Sequence, residues 1–267
     1  MQETVEERPP FLKSEWSATG CGLVGCFSYA LFAIAQVVAF AIVLLRAHPE
    51  AVRLFTEQPP PPNLSELVQQ WTIQISSAQN LFWFAVAGDG FMIVFALIFA
   101  AAFLNAKGRE IGLGVKTSGA QLGLGIAAGL ALVLVADLVT AGQAKVVGPH
   151  PQAVAEILKT HKGATSFVFD FLSVGIIAPF AEELLFRGVI FAGLAQRLPL
   201  YWAAAISGVI FGAAHLDPWS IVPLAVVGTG LALLYRRTGS LWPNVLAHAT
   251  FNTFSLVLVY LFPQLAT

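Results

Sequence analysis

Residues 21–45 read CGLVGCFSYALFAIAQVVAFAIVLL, 25 residues without a single charge. A bilayer core of about 30 Å takes ~20 apolar residues to cross as a helix, so this run predicts a membrane span. Working outward, similar runs follow at 81–104 with Asp89 inside, at 122–141 with Asp137 near its end, and at 167–178 with Asp170 inside. Pro179 closes the fourth run, and Phe180 leads straight into AEELLFRG. Further runs lie at 201–214, 221–235 and 242–262. Lipid offers backbone groups no partner, so each run is expected as a helix. The expected fold class is all-α, a polytopic membrane helical bundle with seven or eight transmembrane helices, the C-terminal ones short and closely spaced.

Composition agrees. Of 267 residues 57% are apolar and only 11% charged, with a mean hydropathy of +0.76. That excludes a disordered chain and leaves too few charges to clothe a soluble enzyme. A net charge of −1 leaves no footprint for nucleic acid. Cys21 and Cys26 cannot build a disulfide framework or a cysteine zinc module, and they read as small packing residues.

The opening residues, with Glu3, Glu6, Glu7, Arg8, Pro9 and Pro10, do not read as a secretory signal, which starts basic and turns apolar at once. They read as a short polar tail, with Phe11, Leu12 and Trp16 set to lie along the interface. The prolines at 59–62 break any helix. The segment LSELVQQWTIQI after them reads equally as an interfacial amphipathic helix or a surface loop. Residues 105–119 and 150–165 are polar connections. With the N-terminus cytoplasmic, eight Lys or Arg fall inside and five outside, which favours that orientation.

A charge near the bilayer centre is costly and needs a partner, a cavity or a function. Glu182 and Glu183 stand side by side in an apolar run. Glu183 and Arg187 are four apart and share a helix face, while Glu182 points about 100° away without that partner. His215 ends an apolar run in which Gly208 and Gly212 form a GxxxG step. His248 and Asn252 lie one turn apart on one helix face, and Asn244 extends that stripe. Asp89, Asp137 and Asp170 read as structural, and Asp170 caps or pairs within the bundle.

Together these groups suffice to hydrolyse an amide. Glu182 takes a proton from water that His215 helps to hold, and His248 with Asn252 donates to the oxyanion. A Glu182/His215/His248 zinc site is a chemical alternative. No HExxH and no GxSxG occurs in the sequence.

Three segments, EELLFRG from Glu182, FGAAH ending at His215 and HATFN from His248, resemble the three motifs of the CAAX-protease and bacteriocin-processing family. That family includes the type II CAAX prenyl endopeptidases, which are glutamate intramembrane proteases. The resemblance implies that Glu182 activates water with His215, that Glu183 and Arg187 assist, and that His248 and Asn252 form the oxyanion hole. It implies no metal and no cofactor. It also implies a peptide or lipidated protein substrate cut near its C-terminus, in a bacterial cytoplasmic membrane. A catalytic unit is expected over 137–267, preceded over 1–136 by the tail and the first membrane helices. Two other classes remain open on the residues alone: a non-proteolytic membrane scaffold or bacteriocin self-immunity protein, and a small proton-coupled transporter.

Overall fold

The computed structural model describes residues 9–57, 59, 61–150 and 152–264. The acidic residues expected in a polar tail, Glu3, Glu6 and Glu7 with Arg8, lie outside them. The protein is an integral membrane protein of helices alone among the described residues. They are α1 (Ala18–Ala47), α2 (Ala51–Thr56), α3 (Leu64–Ile75), α4 (Ala78–Leu104), α5 (Gly119–Val147), α6 (Ala153–Thr160), α7 (Gly163–Ala195), α8 (Leu200–Ala214), α9 (Ile221–Thr238) and α10 (Leu241–Leu261).

Among the described residues, six of these are long and apolar enough to cross a bilayer: α1, α4, α5, α7, α9 and α10. At 15 residues, α8 is about 22 Å long, short of a ~30 Å core.

The main departure from the sequence reading is α7. Pro179 does not close a span. The helix runs unbroken from Gly163 to Ala195, with π-helical segments at Phe171–Ile177 and Glu183–Phe191 on either side of the proline. In the first π segment the N–H of Ala178 reaches back to the carbonyl of Ser173. The proline, with no N–H, leaves the next carbonyl in that register, Val174, to be satisfied from elsewhere. Asn252 on α10 does so, donating through Nδ2 at 2.8 Å.

Around α7 the bundle closes by close approaches. A Cβ at Gly208 or Gly212 of α8 would sit 2.4 Å from the carbonyl oxygen of Ala225 or Ile221 of α9, so the GxxxG step draws those helices together. Gly125 and Gly129 of α5 do the same against the Pro243 and Ala247 carbonyls of α10, again at 2.4 Å.

The connections gather on two faces. One brings Trp16 against Arg197, Gly112 against Leu241 and Thr117 against Ser240. The other brings Trp219 against His150 and Gln143, and His161 against Ser76. Phe11 and Trp16 are buried rather than interfacial. Phe11 stacks on Tyr235 at 4.8 Å, because the 3₁₀ turn Pro10–Leu12 folds it under the bundle. The segment after the prolines is a helix, α3, with Trp71 and Ile75 packed against Leu44 and Ala51. The connection expected at 150–165 contains α6. Cys21 is buried and Cys26 exposed.

Candidate active site

The second π segment, Glu183–Phe191, is buried almost throughout and lies at the centre of the bundle. Such segments recur at functional sites. Here it carries the charges that the apolar surroundings should exclude. Glu183 and Arg187 are fully buried, with Oε1 and Nη1 2.9 Å apart. Arg187 Nη2 donates to the Gly228 carbonyl at 3.1 Å, and its guanidinium carbon lies 4.5 Å from the centre of the Phe211 ring. Glu183 also accepts from Asn244 Nδ2 at 3.2 Å and from His248 Nδ1 at 2.9 Å. Asn244 donates at 2.7 Å to the Leu231 carbonyl as well. A buried charge needs this density of partners.

These contacts fix the histidines. A carboxylate paired with arginine only accepts, so His248 Nδ1 is the donor to Glu183 and its Nε2 faces the other way. The Phe211 carbonyl likewise only accepts, so His215 donates to it through Nδ1, at 2.8 Å, and its Nε2 is free. Both Nε2 atoms lie 3.9 Å from Glu182 Oε2. That oxygen is buried and has no hydrogen-bond partner. At 3.9 Å the three atoms are too far apart for direct hydrogen bonds and near enough for one water to bridge them. Among the described residues, no three His, Cys, Asp or Glu side chains are placed to hold a metal ion.

The structure thus brings Glu182, Glu183, Arg187, His215 and His248 together. Asn252 lies one turn beyond His248, with one amide N–H committed to the Val174 carbonyl and its second still available. Asp89 is buried on α4 and Asp137 exposed on α5. Sequence reasoning gave no role to Phe211, whose ring meets His215 at 4.9 Å and His248 at 5.7 Å as well as Arg187. It gave Asn244 only a place on the stripe. The i−4 step from His248 was the available signal for Asn244. The Gly228 carbonyl had none.

The site is thus a buried Glu–Arg pair and two histidines turned on a second glutamate, inside a helical membrane bundle. Residues 164–254 match the family described as type II CAAX prenyl endopeptidase Rce1-like. "Putative membrane peptidase YdiL" of Bacillus subtilis (strain 168) is 36% identical over 83 residues, 31% of this chain and 34% of that protein. "UPF0177 protein YxdF" of Lactococcus lactis subsp. lactis (strain IL1403) is 28% identical over 82 residues, 30% of this chain and 45% of that protein. The chain therefore aligns with less than half the length of either curated relative. No solved structure matches it.

Proposed function

We propose that the protein is an intramembrane endopeptidase that hydrolyses a peptide bond near the C-terminus of a lipidated or membrane-associated protein. The observation that carries this is Glu182 Oε2, buried and unpartnered, with the Nε2 atoms of His215 and His248 each 3.9 Å away. A bridging water donates one O–H to Glu182 and the other to a histidine. Glu182 takes the first proton as the oxygen attacks the carbonyl, then passes it to the leaving amine. The chemistry needs no covalent intermediate.

The oxyanion is stabilised by the second N–H of Asn252, and by His248 Nε2 while that ring carries both protons. Glu183 and Arg187 hold His248 and do not touch substrate. The catalytic unit runs from about Asp137, and α8, despite its length, completes a seventh crossing. With the N-terminus cytoplasmic, Lys107, Arg109, Lys116, Arg197, Arg236 and Arg237 lie on the cytoplasmic side. Two bacterial relatives support placement in a bacterial cytoplasmic membrane.

The test is cleavage of a prenylated C-terminal peptide by the full chain in vesicles, against Glu182→Gln. The variant should lose on the order of 10³-fold in kcat, and the wild-type rate should survive strong chelation. Equal cleavage by the variant would refute the assignment.

A further inference from the structure

The last four carbonyls of a helix have no partner within it, and the end of α8 shows where each one goes. The Phe211 carbonyl accepts from the His215 ring at 2.8 Å. The Gly212 and Ala213 carbonyls accept from the backbone N–H groups of His215 and Leu216, at 3.3 and 3.2 Å. The Ala214 carbonyl accepts from a different helix, through the hydroxyl of Tyr29 on α1.

Immediately after these residues the backbone does something unusual. Leu216 has φ 54°, a left-handed conformation that a non-glycine side chain rarely adopts. Its side chain is 83% exposed, so its own packing does not hold it there. The chain then reverses into α9, with Asp217 accepting from the Trp219 N–H and the Ser220 hydroxyl. Tyr29 itself is well anchored. One and two turns before it, Gly25 lies against Ile190 and Cys21 against Gly193 of α7, so α1 crosses the helix that carries Glu182.

We propose that Tyr29 is a positioning residue for His215: its bond to the Ala214 carbonyl latches the end of α8 and holds Leu216 in its left-handed conformation, which keeps the His215 Nε2 turned on Glu182. This rests on the proposed protease reading. It adds that the first membrane helix, outside the matched segment 164–254, completes the site. Without the phenol hydroxyl, Leu216 relaxes to negative φ and the ring swings away. Glycine at 216 tolerates positive φ at no steric cost, so it removes the tendency to relax.

The experiment compares wild type, Tyr29→Phe and Tyr29→Phe/Leu216→Gly as full chains in vesicles, with two readouts. In peptide cleavage, Tyr29→Phe should lower kcat about tenfold at unchanged KM, and the double variant should recover most of that loss. In diethyl pyrocarbonate labelling followed by mass spectrometry, His215 should react about threefold faster in Tyr29→Phe relative to His150 of the same molecule, as expected for a ring freed of its partner. The double variant should return to the wild-type ratio. Labelling needs no substrate, so failure to cut any peptide would count against the protease reading while the latch is still judged by the ratio. An unchanged His215 ratio in Tyr29→Phe overturns the latch. So does an increase that all five histidines share, since that reports general loosening, and so does a loss that glycine at 216 fails to relieve.

Discussion

Two carboxylate–histidine clusters share helix α7, twelve residues apart, one buried and the other partly exposed at Glu182 and His215, and they are built in opposite ways. Around Asp170, His161 Nδ1 and the Tyr260 hydroxyl both meet Oδ2, at 2.8 and 2.7 Å. His161 Nε2 donates to the Ser76 carbonyl at 2.7 Å. Both ring nitrogens are spent, and the cluster ties the start of α7 to α10 and to the α3–α4 junction. Around Glu182 each histidine spends Nδ1 and keeps Nε2. In the first cluster Asp170 Oδ1 has no partner, but the histidine is fully engaged, and its contacts join side chains of α7 and α10 to the Ser76 carbonyl. The second leaves its reactive atoms facing one another, an arrangement that costs stability and is kept where chemistry is done.

The comparison predicts effects of opposite sign. Glu182→Gln removes a buried oxygen that has no partner, so it should leave thermal stability unchanged or raise it while abolishing cleavage. Asp170→Asn should lower stability by about 1–3 kcal/mol, because it disturbs buried groups that depend on the carboxylate, and leave kcat within a few-fold of wild type. Cys21 is a natural probe for both measurements: it is buried, and in a Cys26→Ser background its reaction with a thiol dye reports unfolding. Destabilisation by the first variant and inactivation by the second would erase the distinction between the clusters.

Arg187→Ala sharpens it next. The change strands Glu183 as a buried carboxylate without its cation, which typically costs about 3–5 kcal/mol. Stability and activity should fall together, unlike either variant above. Arg187→Lys should recover only part of the loss, since one ammonium cannot face Glu183, the Gly228 carbonyl and the Phe211 ring together as the planar guanidinium does. Full recovery with lysine would show that charge alone matters at this position.

How much of this was legible in the sequence follows from where the information sits. Membrane spans are written in composition, and a glutamate next to a Glu–Arg pair stands out because an apolar run should exclude charge. The helical membrane bundle read correctly, though six helices of membrane length stand among the described residues where seven or eight were expected, and the Glu183–Arg187 pair is present. Pro179 misled because the rule that proline ends a helix is local, whereas its solution here, a π segment with a side chain from α10, is tertiary. Phe11 and Trp16 misled because an aromatic near a membrane end looks the same whether it lies on the interface or folds under the bundle. That Asp170 pairs within the bundle was legible, but its partners were not, for a related reason: His161, Tyr260 and the Ser76 carbonyl come from three distant segments, and no spacing links them.

The smallest predicted effect separates two roles of one residue. Asn252 donates to the Val174 carbonyl that Pro179 leaves unsatisfied, and in the proposed chemistry its second N–H faces the oxyanion. Asn252→Ala should cost about 1 kcal/mol of stability through the lost hydrogen bond, together with a fall in kcat. Adding Pro179→Ala supplies a backbone N–H in the register that reaches Val174, so the double variant should regain the stability. It should not regain the activity, because no backbone N–H of α7 replaces a donor on α10. Rescue of neither property would show that the Val174 contact is incidental to the π segment. Rescue of both would show that Asn252 serves the helix alone, leaving the oxyanion to His248.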